Sequence, residues 1–292
     1  MEKNGIILKL TGGNYYVQVK DKILKCRARG KFRHQNIKPV VGDNVIIEIL
    51  DHDQGYILEV LERKNILIRP AIANIDQALI VTSYKEPNFS TNLVDKFLAI
   101  IENYQIKPII VVTKTDLAKS LESAKDDFKD YLNSGYEVYF TSIKDTKNLK
   151  ELTDKMNNSI SVLVGQSGAG KSSLLNSMDQ QFNIKTNEIS KALGRGKHTT
   201  RHVEIFQTKV GWIADSPGFS SLDLEMLTAI ELAHSYHDFK EASQYCKFNN
   251  CLHENEPGCE VKERVKQNII PQERYNNYLY FLNEIKNRKE KY

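Results

Sequence analysis

Through the first sixty residues apolar and polar positions alternate with a period of two, and beyond them solid apolar runs alternate with helix-length segments. Ile6-Ile7-Leu8-Lys9-Leu10 leads into Thr11-Gly12-Gly13-Asn14, a turn signal, and Tyr15 to Val19 follows as a second strand. Ile23 to Ala28, Asn44 to Leu50 and Tyr56 to Leu61 complete five short strands, with Pro39-Val40-Val41-Gly42-Asp43 turning the chain. So few strands avoid open edges by closing on themselves. Residues 1–66 therefore read as a small barrel of the oligonucleotide-binding (OB) type.

Around Asn65 to Pro70 the texture changes. Asp76 to Thr82 is a buried-type strand, Ser90 or Asn92 caps a helix reaching Tyr104, and Ile109 to Val112 is the next strand. A helix over Leu117 to Asn133, a strand over Glu137 to Thr141, a helix over Lys147 to Asn158 and a strand over Ile160 to Val164 continue the alternation. Apolar strands separated by crossover helices predict a parallel α/β sheet in residues 67–222, with ligand loops at the strand C-termini. Residues 223–292 read as a helical domain, with a helix over Asp223 to Lys240 and another over Pro271 to Lys289. On the last helix Tyr275, Tyr278, Leu279, Leu282 and Ile285 form a packing stripe.

The loop after Val164 carries the strongest chemistry. Gly165-Gln166-Ser167-Gly168-Ala169-Gly170-Lys171-Ser172 fits Gly-x-x-x-x-Gly-Lys-Ser/Thr at a strand-to-helix handover, with Ser173 continuing onto the helix. Its glycines let backbone N–H groups converge on a polyphosphate, and the helix N-terminus adds partial positive charge. Lys171 reaches the β/γ-phosphates and Ser172 ligates Mg²⁺ in this reading; a glycine-rich turn with no ligand is the bland alternative.

Other strand ends add a base and a metal. Thr113-Lys114-Thr115-Asp116 approximates the Asn-Lys-x-Asp tetrad that reads guanine, the Asp116 carboxylate accepting the ring N–H and the exocyclic amine. Thr141-Ser142-Ile143 stands where a second base-side loop is expected. Gly194 to Thr200 precedes strands over His202 to Gln207 and Gly211 to Ala214, and then comes Asp215-Ser216-Pro217-Gly218. Asp215 would hold Mg²⁺ through water and the Gly218 N–H would bond the γ-phosphate, while Thr200, or else Thr199, completes the metal shell. The base tetrad at 113 precedes the phosphate loop at 165, the reverse of the ordinary GTPase order, which implies a circular permutation.

Composition sharpens this picture. Apolar residues make up 40% and charged residues 27% of 292, with a net charge of +4 and no leader-like N-terminus or membrane-length apolar run, so the expectation is a cytoplasmic protein without a membrane partner. Lys25-Cys26-Arg27-Ala28-Arg29-Gly30-Lys31-Phe32-Arg33 puts five basic residues and an aromatic in nine positions of the barrel. That is the make-up of a groove for single-stranded or looped RNA, or else of a solvated basic loop. Cys246, Cys251, His253 and Cys259 fall within fourteen residues. Three thiolates and an imidazole make a closed tetrahedral set suited to one structural Zn²⁺.

Taken together, Cys26-Arg27-Ala28-Arg29-Gly30, Val41-Gly42-Asp43, the permuted motif order, His198-Thr199-Thr200 and the Cys246 to Cys259 cluster resemble the RsgA family of circularly permuted bacterial GTPases. The resemblance implies GTP hydrolysis stimulated by the small (30S) ribosomal subunit in its late maturation, an rRNA-facing barrel, a zinc domain touching rRNA, and a monomer. It also implies His198 as the residue that orients the attacking water, since Phe219 stands where many GTPases have Gln. Thr113 replaces the usual Asn and Ser216 a usual Thr, the first of which predicts a weaker brace on the guanine loop. A nucleotide-gated RNA-binding module that needs no hydrolysis, and a phosphate-loop ATPase or small-molecule kinase, are the readings from other classes.

Overall fold

A computed structural model describes residues 2–30, 32, 37–51, 53–68, 70–142, 146–179, 203–215 and 222–288. The chain divides into two compact units, Met1–Gln77 with Thr153–Leu163 and Leu175–Phe219, and Ala78–Leu152 with Val164–Leu174 and Ser220–Tyr292.

In the first unit the alternating segment forms five strands, β1 (Glu2–Thr11), β2 (Asn14–Val19), β3 (Lys22–Ala28), β4 (Asn44–Asp51) and β5 (Gln54–Val60). They pair in the order β1-β2-β3-β5-β4, and β4 returns to β1 through Glu2↔Glu48 to Ile6↔Asn44, so no edge is left open. Ile7, Val17, Leu24, Cys26, Val45, Ile47 and Ile57 fill the interior with no more than 2% of their surface exposed. Each such apolar side chain contributes on the order of 2 kcal/mol by leaving water. Between Leu24 and Cys26 the outward positions are charged: Lys25 and Arg27 are exposed. The Val41-Gly42-Asp43 turn is fixed from inside. The fully buried Asp43 carboxylate accepts Val40 N–H at 2.7 Å and both Arg63 Nε (2.7 Å) and Nη2 (2.9 Å).

A short hairpin, β6 (Ile66–Ile68) with β7 (Ala71–Ala73), follows the barrel and was not predicted. Strands β11 (Ile160–Val164) and β13 (Gly211–Asp215) pair in parallel, and β12 (Glu204–Thr208) pairs antiparallel with β13. Lys9 of β1 bridges Glu204 of β12, backbone to backbone and by a 2.8 Å ion pair.

In the second unit β8 (Gln77–Ser83), β9 (Lys107–Thr113) and β10 (Glu137–Phe140) lie in the order β10-β9-β8, and every residue of β8 is buried. Ser90 caps the Thr91–Asn103 helix by accepting Leu93 N–H. The helix expected over Leu117 to Asn133 is instead a short 3₁₀ turn, Thr115–Leu117, and two helices, Leu121–Asp127 and Lys129–Asn133. Ser120 caps the second segment at Ser123 N–H, and Phe128 is buried between the last two. The helix expected over Asp223 to Lys240 is likewise divided, into Leu224–Met226, Ala229–Ala233 and His237–Ser243. A capping box on Thr228 and Glu231 restarts it.

On the Gln272–Lys286 helix the buried residues are Arg274, Tyr278, Phe281 and Leu282, so its inner face is rotated from the predicted stripe. The cause is Arg274, 2% exposed, which donates to Asp238 at 2.6 Å, lies 3.6 Å from Asp95, and sits over the rings of Tyr131 and Tyr136. Burial pushes the Asp95 carboxyl up to about 6, with Arg274 and Asn277 acting against the rise. No helix among the described residues is long and apolar enough to cross a membrane.

Candidate nucleotide site and metal centre

The phosphate loop starts on a backbone that only glycine fits. Gly165 has φ +138°, and a Cβ there would stand 2.1 Å from the Val81 carbonyl oxygen, so any side chain would force the loop off β8. Gly168 and Gly170 follow at φ +80° and +91°, a conformation that gathers N–H groups into an anion-binding nest, and the Lys171–Met178 helix opens behind them. Lys171 Nζ donates to the Gly165 and Gln166 carbonyls at 2.6 and 2.8 Å. Burial holds its pKa below the usual lysine value. An ammonium partly withdrawn from water, with neutral carbonyls as partners, gains most when an anion arrives. Ser172 and Ser173 are exposed in the first turn, and Ala169 is buried beneath the loop.

The Thr113 to Asp116 tetrad meets this loop. Thr113, 6% exposed, donates its hydroxyl to the Ala169 carbonyl at 2.6 Å and lies 3.3 Å from the Thr82 carbonyl. Thr in place of Asn thus still braces the loop, through a single hydroxyl. Gly170 has no Cβ, and one there would lie 3.3 Å from Thr113 Oγ1, so the loop comes close enough for a short hydroxyl to reach it. Lys114 takes left-handed backbone angles, φ +57° and ψ +34°, and its Nζ donates to the Gly168 carbonyl at 3.0 Å and to the Glu86 carbonyl. Thr115 donates from both N and Oγ1 to the Thr141 carbonyl, at 3.3 and 3.1 Å, which places the Thr141-Ser142 loop beside the tetrad. Asp116 is exposed in the 3₁₀ turn.

Residues Ser83 to Pro87 also touch both loops, and nothing in their sequence announced it. Tyr84 N–H donates to the Thr113 carbonyl at 2.9 Å, Glu86 takes the Lys114 ammonium, and the Pro87 ring lies 3.6 Å from the Cβ position of Gly168. Backbone carbonyls do this work, and side-chain identity does not reveal them. Asp215 closes β13; His198, Thr199, Thr200 and Gly218 lie outside the described residues.

The four metal-ligating atoms of Cys246, Cys251, His253 and Cys259 all lie within 4.8 Å of one another. Cys246 Sγ is 4.0 Å from Cys259 Sγ, and His253 Nδ1 is 3.8 and 3.4 Å from those two sulfurs. Tetrahedral Zn²⁺ with its ~2.3 Å bonds to sulfur sets edges of about 3.8 Å, so the residues fit the ion. His253 Nε2 faces the Ala233 carbonyl at 3.2 Å, which requires the proton there and leaves Nδ1 as a lone-pair donor to metal. Burial pushes the Cys251 and Cys259 thiols up and lowers His253 to about 4. Tyr275 and Tyr278 donate to the His253 and Leu252 carbonyls at 2.7 and 2.5 Å, holding the ligand loop from the last helix.

On the barrel, Tyr15, Arg27, Arg29, Ile37 and Lys38 line an open groove of about 670 Å³. Phe32, read as a stacking aromatic, is only 4% exposed and is part of the lining of that groove. Tyr15 lines the groove beside the basic residues as well.

Comparison with known proteins identifies the family. The model of the RsgA GTPase domain matches residues 60–225, and that of the RsgA N-terminal domain matches residues 4–57. The small ribosomal subunit biogenesis GTPase RsgA of Bacillus cereus is 47% identical over 290 residues, covering 99% of both chains. Its counterpart in Bacillus subtilis is 46% identical over 296 residues with the same coverage. The crystal structure of YloQ, a circularly permuted GTPase, superposes with a TM-score of 0.82 at 40% identity over 100% of this chain and 98% of that one. YjeQ from Thermotoga maritima gives 0.84 at 32% identity, over 99% and 100%. Matched by that GTPase model over residues 60–225 and by full-length relatives at 46–47% identity, this chain belongs to the RsgA family of small ribosomal subunit biogenesis GTPases.

Proposed function

We propose that the chain hydrolyses GTP with Mg²⁺ on the small ribosomal subunit, during late maturation of that particle, and that its nucleotide state governs its hold on rRNA. The observation that carries this is the join between base reader and phosphate cradle: Thr113 Oγ1 lies 2.6 Å from the Ala169 carbonyl and Lys114 Nζ lies 3.0 Å from that of Gly168. Asp116 accepts two guanine N–H groups, and Lys171 meets the β/γ-phosphates over N–H groups of the loop. Ser172 and Thr200, with Thr199 as the alternative threonine, and Asp215 through water are the residues for Mg²⁺. When bound, that ion neutralises charge on the phosphate oxygens. Gly218 N–H bonds the γ-phosphate and His198 orients the water; the water oxygen bonds to phosphorus as the bond to the β,γ-bridging oxygen breaks, giving GDP and phosphate.

The proposed domains are residues 1–66 for rRNA, 67–222 for GTP and 223–292 around one structural Zn²⁺, in a cytoplasmic monomer. The names of the relatives supply the partner, and the basic groove of the barrel supplies a surface for it. GTP hydrolysis measured alone and with purified small subunits tests the reading. The subunits should raise turnover by an order of magnitude or more, and His198→Ala should lose that rise while still binding GTP. Equal turnover with and without subunits overturns the proposal, and ATP binding as tightly as GTP overturns the role of Asp116.

A further inference from the structure

From the contacts of Ser83 to Pro87 we infer that this segment is a third guanine-side loop, which sets guanine affinity by positioning Lys114 without touching the nucleotide. The inference rests on the reading of Thr113 to Asp116 as the base loop. The stem of Lys114 is the surface on which a guanine ring packs, so its course determines how well the base is held. That course is fixed at both ends. Its backbone is left-handed at φ +57°, and its ammonium is shared between the Gly168 carbonyl of the phosphate loop and the Glu86 carbonyl.

Glu86 is itself a left-handed non-glycine residue at φ +56°, a conformation costing about 1 kcal/mol that the surrounding contacts must hold. Two contacts do so. Ser83, fully buried, donates its hydroxyl to the Pro87 carbonyl at 2.5 Å and closes the turn across Glu86. Tyr84 N–H donates to the Thr113 carbonyl at 2.9 Å and fastens the segment to the base tetrad. The Pro87 ring, 3.6 Å from the Cβ position of Gly168, sets the segment against the phosphate loop on its other side. Removing the Ser83 hydroxyl frees the Glu86 carbonyl, and Lys114 then loses one of its two anchors.

Affinity for GTP and GDP, measured by titration with fluorescent analogues, and steady-state hydrolysis at saturating GTP test this on Ser83→Ala, Lys114→Met and the double variant. A hydrogen bond of ordinary net strength predicts that Ser83→Ala weakens both nucleotides by roughly threefold to tenfold, while turnover at saturation stays at the wild-type value. The double variant should bind no more weakly than Lys114→Met alone, because Ser83 acts only through that lysine. Additive losses would mean that Ser83 merely stabilises the fold and would overturn the inference, as would unchanged affinity in Ser83→Ala. Unchanged affinity in Lys114→Met would instead overturn the base-loop reading. If Ser83→Ala does not fold, Ser83→Cys, which keeps the side-chain shape but weakens the donated hydrogen bond, takes its place in the same cycle with the same expected outcomes.

Discussion

At the scale of single residues, Thr113 shows how a departure from a motif is resolved by the backbone around it. A hydroxyl donates one hydrogen, and at 2.6 Å it goes to Ala169 in preference to Thr82 at 3.3 Å. The bond is buried, so it contributes to the stability of the fold as well as to the site. Thr113→Val keeps the shape and deletes the donor, leaving a buried carbonyl unsatisfied at a cost of about 1–3 kcal/mol. The expected result is a lower urea midpoint with an unchanged slope, together with weaker binding of both GTP and GDP. A midpoint equal to wild type would mean that Ala169 finds another donor. Of the residues in this candidate site, Lys114, Asp116 and Lys171 could be nominated from type and spacing, and the structure brings Lys114 and Lys171 onto the same loop. Ser83 and Glu86 were not, because one works through a buried hydroxyl on a backbone carbonyl and the other through its own carbonyl.

At the scale of elements, alternation between Ile6 and Leu61 identified all five barrel strands, because one face of each packs inward and the other is polar. The β6–β7 hairpin escaped because three residues per strand carry no period. Long helices over 117–133 and 223–240 were expected where shorter ones occur. Ser120 and Thr228 act there as caps that restart helices, and a periodic reading runs through them. The Glu260–Lys266 helix also went unpredicted; it begins directly at the ligand Cys259. That junction gives the Cys/His cluster structural weight. Phe239, Tyr278 and the His253 ring pack together with centroids 5.0 to 6.1 Å apart, so the metal site and the small C-terminal core are one cluster. Purified protein is expected to hold about one zinc per chain, since structural Zn²⁺ binding in small domains is worth about 10–16 kcal/mol. Chelation, or Cys259→Ser, should lower the unfolding midpoint and expose amides of 246–286 to hydrogen exchange. Protection that is unchanged after zinc is stripped would show that the aromatic core suffices alone.

At the scale of the whole molecule, charge gives a measurable handle on the proposed hold of the chain on the small subunit. The chain's net charge of +4 is too small to drive association by itself, so the placement of basic residues must do so. Along β3 the buried Leu24 and Cys26 force Lys25 and Arg27 outward, and Arg27 lines the groove with Lys38 and Tyr15. Arg29 is committed in part to Glu48, which leaves Arg27 as the cleaner probe. If Arg27 meets a phosphate, Arg27→Ala should weaken small-subunit binding and reduce the slope of log affinity against log salt by about one. Hydrolysis without subunits should be unaffected, because Arg27 belongs to the barrel and not to the phosphate loop. At saturating subunits the stimulated turnover should also recover, since only occupancy has been lost. An unchanged salt slope would remove Arg27 from the interface, and a lower stimulated turnover at saturation would mean that the barrel takes part in activating hydrolysis as well as in anchoring the protein.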